Sequence, residues 1–344
     1  ARELLGDGRP GIKLELPACQ AELVTTPHGT ISAALAELGA AREQLVGALG
    51  DRAAVLACGT HPFAAVEGPV NPGEHYERVL REYGSVARRQ LVCGMHVHVA
   101  LPGAERVLAV YNALRGHLPL IAALAANAPL HDGRDTGLAS VRPLISGMLP
   151  RQGVPPAFAS FEELAADLGW GNATKRLDGL AGWWWELRLH AQLGTIEIRV
   201  PDVQTGLSEA CAVAAVAGAL AAWLAERHDA GDLERPVRSW RIAENRWSAA
   251  RDGARGELFD LRTGRPRATA ELLSELLAEL RPTARVLGAE AGLDHAARLI
   301  ECGGADRQRA LLAATGEPKR VVAELVERYA QTGGAPSPAA ASGR

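Results

Sequence analysis

Apolar and polar positions alternate with strand-like rhythm over 183–190 and 195–200, and Gly194 stands where a turn between the two is needed. A Val- and Leu-rich stretch predicts a further strand over 90–100. A short apolar run predicts a buried strand over 55–58, and residues 12–26 read as an extended segment interrupted by Pro17. Helical spacing predicts helices over 30–50, stopped by Gly50, over 74–89, over 105–126 with a kink at Pro119, and over 161–168. Beyond residue 207 the pattern is mostly helical: 207–228, 239–252, 269–290, 291–301 and 305–330. Segment 69–73 reads as a loop, and 127–157, rich in Gly, Asp, Ser and Pro, as a long irregular connection of the kind that carries function. Residues 331–344 form a low-complexity stretch expected to be disordered. Antiparallel-looking strand pairs followed by a helical C-terminal half predict an α+β fold and not a doubly wound parallel sheet.

Composition narrows the class. The chain has 344 residues, 47% hydrophobic and 22% charged, a globular balance large enough for one large domain or two ordinary ones. Lys plus Arg is 37 and Asp plus Glu is 40, a net charge of −3, which removes the electrostatic case for nucleic acid or an anionic membrane as main partner. Five scattered cysteines argue against a disulfide framework or zinc ribbon and fit a reducing cytoplasm best. No signal-peptide pattern opens the chain, and the longest apolar stretch, 210–225, is short for a bilayer span and reads as a buried helix. The sequence begins with Ala1 and not Met, which makes a fragment or a processed form the expectation.

The candidate chemistry lies on the predicted strands. Glu197 and Arg199 share one strand face, with Ile196, Ile198 and Val200 on the other. Arg188 and His190 repeat the alternation on the preceding strand, and Gln20 and Glu22 repeat it near the N-terminus. Together they predict one polar sheet face, where Glu offers oxygen to a cation such as Mg²⁺ and Arg a forked donor to phosphate. A solvated, salt-bridged strand is the plainer account of the same pattern. His96 and His98 also share a face, as metal or phosphate ligands or as a hydrogen-bonded core pair; a zinc hydrolase built on them needs further ligands from His61, His190 or Asp135. The loop 133–142, with Thr136, Ser140 and Arg142, is suited either to an anionic ligand or to plain surface, and Arg246 beside Trp247 is uninformative alone. Gly6 to Gly11 matches G-x-G-x-x-G, but Pro10 lies inside it and no strand precedes it, so a chance turn is the better account; no P-loop motif is present.

In order along roughly residues 10–325, several stretches resemble the carboxylate–amine ligase family, glutamate–cysteine ligase type 2 group: Glu15 to Glu22, Gly59 to Phe63, Cys93 to Val99, Leu118-Pro119, Asn127 to Pro129, Asp135 to Gly137 with Ser140 and Arg142, Trp184 to His190, Gly194 to Arg199, and Asn245 to Trp247 with Ala249 to Arg251. The resemblance implies a glutamine-synthetase/guanido-kinase-like curved antiparallel sheet forming a funnel flanked by helices. It implies ATP and Mg²⁺ as cofactors, and glutamate or a similar carboxylate plus an amine as substrates. The implied reaction phosphorylates the carboxylate, and the amine then attacks the acyl phosphate. By position in the motifs it implies Glu22, His96 and Glu197 as metal ligands and Arg199, Arg188 and Glu197 as catalytic residues. It implies Arg142, Arg246, Ser140, Thr136 and His98 as substrate or nucleotide contacts, and a homodimer as the assembly.

Two departures stand against the pattern. The family's first strand, with a G-x-E-x-E signature, has no counterpart, since Gly11 to Glu15 aligns with the next strand, and His75-Tyr76 replaces Arg-Tyr. The expectation is one ligase domain over 1–330 lacking its first strand. The rivals are a non-catalytic nucleotide-binding or regulatory relative and, further off, the zinc hydrolase.

Overall fold

The helix Leu207–Asp229 is the hub of the packing. Alanine has the highest helix propensity and leaves room for close neighbours, and Ala212, Ala215, Val216, Ala219 and Leu220 along it are fully buried. The helices Ile31–Leu49, Ala104–Leu114, Thr269–Val286 and Glu290–Glu301 pack against it. The approach is closest at Gly292, where an added Cβ would stand 2.3 Å from the Ala215 Cβ. This is a computed structural model in which residues 1–6, 11–177 and 179–331 are described. Most of the Gly6–Gly11 motif and the 332–344 part of the low-complexity stretch therefore lie outside the described residues. By length and composition the runs Ala104–Leu124 and Leu207–Asp229 are apolar enough to cross a membrane, and 61% of each apolar window is buried inside the fold, as expected of 210–225.

Nine short strands are found among the described residues: β1 Ile12–Leu14, β2 Ala21–Leu23, β3 Val97–Ala100, β4 Leu130–His131, β5 Arg134–Asp135, β6 Leu187–His190, β7 Thr195–Ile198, β8 Glu257–Phe259 and β9 Pro266–Ala268. The largest sheet has the order β3-β7-β6, and β1-β2, β4-β5 and β8-β9 are two-stranded ribbons. Every strand pairing is antiparallel. In the three-stranded sheet His98, Glu197 and Arg188 stand directly opposite one another. Leu187, Leu189, Ile196 and Ile198 go to the other face and are buried against the hub helix and its neighbours. Each such side chain contributes roughly 1.5–3 kcal/mol, and a one-residue slip would exchange the two faces, so burial on one face locks the register of the other.

The sequence expectations hold best where packing is simple. The helix over 30–50 is Ile31–Leu49, with Gly50 in a positive-φ stop, and Gly194 turns between β6 and β7 at φ 63. Elsewhere tertiary contacts override the pattern. The 12–26 segment folds back on itself as β1-β2, and 55–58 joins no ladder although Cys58 is buried. The 90–100 strand is regular only over Val97–Ala100, with isolated bridges from Val92 to Thr60 and Gly94 to Asp202. Pro119 does not kink one helix. It sits in the first turn of a second, Leu118–Leu124, after Ala104–Leu114 and a 3₁₀ turn at Arg115–His117, where its missing N–H is harmless. The 305–330 helix is two, Gly304–Thr315 and Pro318–Ala330, divided by Gly316 in the left-handed region. The unexpected β8-β9 ribbon turns through Asp260, whose Oδ1 accepts from the N–H groups of Arg262 and Thr263.

Candidate active site

Strand pleat sends Ile196 and Ile198 inward and presents Glu197 and Arg199 on the opposite face. Glu197 is 2% exposed and lies mid-sheet. Arg188 Nε donates to its Oε2 at 2.6 Å and Arg199 NH1 donates to its Oε1. His96 Nδ1 and His98 Nε2 approach Oε1 at 3.5 Å and 3.7 Å. Burial alone would raise the pKa of this carboxyl, but the charges of Arg199 and Arg188 overcome it and hold the group at about 2. The folded-state value lies below the ordinary 4.5, so the stability this ion pair adds is whole above about pH 4.5 and is lost as pH falls toward 2. Urea midpoints measured between pH 5 and pH 2 are expected to fall in wild type and to fall less in Glu197→Gln; parallel curves would remove the carboxylate from this account.

The imidazoles are poised as neutral groups. Burial and then the charge of Arg199 hold His96 well below the usual histidine range. Burial also lowers His98, against the pull of Glu197. His98 Nδ1 is hydrogen-bonded to Thr195 Oγ1 at 2.9 Å, and its ring meets that of His190 edge-on at 5.4 Å. The β1-β2 ribbon brings Glu22 to this face, with Oε1 3.9 Å from His96 Nδ1. Glu15, which follows β1, is the residue that sequence reasoning passed over. Its pKa is raised by burial and by repulsion from Glu22, and that of Glu22 is raised chiefly by burial. Gly11 to Glu15 carried a sequence signal, but the nearness of the two carboxylates is a property of the ribbon. Arg199 Nε is buried with no partner among the described residues.

Glu22, His96, His98, Arg188, Glu197 and Arg199 are thus gathered at one place. The other candidates are largely committed to partners of their own, Arg142 behind the backbone of Arg199 and the rest away from the polar face. Arg142 Nε donates to Asp202 Oδ1 at 2.7 Å, and Ser140 Oγ donates to the same oxygen at 3.0 Å. Thr136 Oγ1 donates to the Pro129 carbonyl at 2.8 Å. Arg246 is buried in an ion pair, Nε donating to both oxygens of Glu186 at 2.9 Å. Of the extra ligands a zinc site needs, His61 Nδ1 accepts from the N–H groups of Phe63 and Ala64, and Asp135 takes Arg309. Among the described residues no three His, Cys, Asp or Glu side chains are drawn together tightly enough to hold a metal as they stand.

An α+β fold whose sheet presents carboxylates, guanidinium groups and neutral imidazoles on one face is suited to orienting and neutralising charged substrates. The sequence profile of glutamate–cysteine ligase family 2 (GCS2) matches residues 2–331. A Rubrobacter xylanophilus protein named "Putative glutamate--cysteine ligase 2-3" is 39% identical over 320 residues, 92% of this chain and 86% of that one. Among solved structures, the glutamate–cysteine ligase of Francisella tularensis in complex with AMP superposes with a TM-score of 0.70 at 13% identity, covering 93% of this chain and 81% of that one. A bifunctional glutathione synthetase from Pasteurella multocida superposes with a TM-score of 0.61 at 17% identity, covering 96% of this chain and 48% of that one. The chain belongs to glutamate–cysteine ligase family 2 and is an enzyme of the ligase class.

Proposed function

We propose that the protein is an ATP-dependent carboxylate–amine ligase that acts on glutamate or a similar carboxylate, with glutamate–cysteine ligase activity that is weak. The observation that carries this reading is Arg199, whose NH1 holds Glu197 while its Nε is left buried with no partner among the described residues, at the centre of the polar face. A forked donor with an unmet N–H is suited to an incoming phosphoryl oxygen. The substrate carboxylate attacks the γ-phosphorus of ATP, ADP leaves, and the amine then attacks the acyl phosphate and expels phosphate. Such a reaction needs orientation and charge neutralisation more than a protein nucleophile. In this reading Arg199 and Arg188 face the transferring group and Glu197 keeps both arginines aligned. His98 contacts the substrate or nucleotide.

The residues fit Mg²⁺ by donor chemistry. Glu22 and Glu15 offer hard carboxylate oxygens whose raised pKa values reflect burial that a cation would offset. Glu22 and Glu15 would hold the ion, with His96 beside them as a lesser ligand, while Glu197, the third ligand the resemblance implied, has both oxygens taken by Arg188 and Arg199. Bound Mg²⁺ supplies neutralisation of phosphate charge. We read the antiparallel sheet as the wall of a glutamine-synthetase/guanido-kinase-like funnel within a single ligase domain over 1–330. The five free cysteines support a cytoplasmic setting.

The test is ADP release with Mg²⁺-ATP, glutamate and a panel of amines including cysteine. Release that requires both the carboxylate and the amine is the expected result. Nucleotide binding without turnover for any amine would instead favour a non-catalytic relative.

A further inference from the structure

We propose that Asp202, acting through Arg142, is a positioning residue that sets Arg199 against His96; this rests on the ligase reading above for its catalytic consequence. Asp202 is 3% exposed and accepts three hydrogen bonds: Oδ1 accepts from Arg142 Nε and Ser140 Oγ, and Oδ2 accepts from the Asn127 N–H at 2.7 Å. Held there, Arg142 turns NH2 onto three successive carbonyls, those of Arg199 at 3.4 Å, Val200 at 2.6 Å and Pro201 at 3.0 Å. These carbonyls lie just beyond the end of β7, where the regular ladder has stopped.

The other side of the same stretch is tied to the approach to His96. Met95 N–H donates to the Pro201 carbonyl at 3.0 Å, Val203 N–H donates to the Cys93 carbonyl at 3.1 Å, and Gly94 bridges Asp202. The guanidinium therefore sits between the backbone that carries Arg199 and the backbone that carries His96, and Arg199 NH1 meets His96 Nδ1 at 3.4 Å. Two glycines make the arrangement possible. A Cβ on Gly59 would stand 2.9 Å from Asp202 Cγ, and a Cβ on Gly94 would stand 3.1 Å from Arg142 NH1. A packing role alone does not call for a forked donor bound to the carbonyl of the site arginine itself. Small displacements of such an arginine are costly, because a misplacement near 1 Å loses on the order of 100-fold in rate.

The test is a double-mutant cycle on the kcat of ADP release, with amide hydrogen exchange as a readout free of turnover. Arg142→Lys and Asp202→Asn are each expected to lower kcat about tenfold or more. Once Arg199→Lys is present, Arg142→Lys should cost less than about twofold further, since its effect passes through Arg199. Exchange at the Met95 and Arg199 amides should quicken about tenfold in Arg142→Lys. If that variant does not fold, Gly59→Ala, which presses on Asp202 and on Ala128, is expected to give the same exchange signature. Additive losses in the cycle, or unchanged exchange at both amides in a folded variant, would overturn the proposal. Wild type that releases no ADP with any amine removes the ligase reading, and the exchange measurement then still decides whether Asp202 and Arg142 hold this backbone.

Discussion

Glu197→Gln is expected to abolish ADP release, by about 1,000-fold or more, in a protein that still folds. The carboxylate is the common acceptor of Arg188 Nε and Arg199 NH1, so it sets the direction of both guanidinium groups. The amide has nearly the same shape but no charge, and one of its two ends becomes a donor facing an N–H. Both arginines then lose the anion that aligns them, and the loss falls on groups that act in the transition state. The fold survives because the register is held from the other face, where Ile196 and Ile198 are fully buried, and because Arg188 NH1 also donates to the Leu180 and Trp183 carbonyls. Steady-state ADP release and a thermal melt followed by circular dichroism measure the two halves of the expectation. Unchanged turnover would take Glu197 out of the site.

The second large effect is on stability. Glu186→Ala is expected to cost about 3–5 kcal/mol, because it leaves Arg246 as an unpaired cation in a nearly closed site. Each partner's side chain is only 9% exposed, so bulk water does not solvate the guanidinium as the carboxylate does. The melting temperature should fall on the order of 10 °C. Glu186→Leu combined with Arg246→Met removes both charges together and should recover most of the loss. Denaturant midpoints of the single and double variants check this. If Arg246→Met alone left stability intact and weakened substrate binding, Arg246 would be a ligand contact and not a buried strut.

The polar face was legible to the extent that strand alternation is a local property. Glu197 with Arg199, Arg188 with His190 and His96 with His98 each follow from side chains at i and i+2 pointing the same way. Which strands meet is not local. The order β3-β7-β6 sets His98, Glu197 and Arg188 in one row, although 97 residues of chain separate His98 from Thr195. Glu15 was missed for the same reason, since only the fold-back of β1 on β2 turns one extended segment into two neighbouring carboxylates. Arg142, Ser140 and Arg246 show the converse. Their residue types suit phosphate, but residues distant in sequence bind them: Asp202 takes Ser140 Oγ and Arg142 Nε, and Glu186 takes Arg246 Nε.

By itself the sequence determined which stretches are helical, though not where 105–126 and 305–330 divide, and it determined the faces of the strands, the globular class and, through the ordered motifs, the family. These depend on periodicity, composition and residue order, which need no knowledge of what lies opposite. The tertiary structure alone decided which arginines keep a donor unmet and which are spent on buried partners. That distinction rests on desolvation and on hydrogen-bond partners brought from far along the chain, and neither exists before the chain is packed.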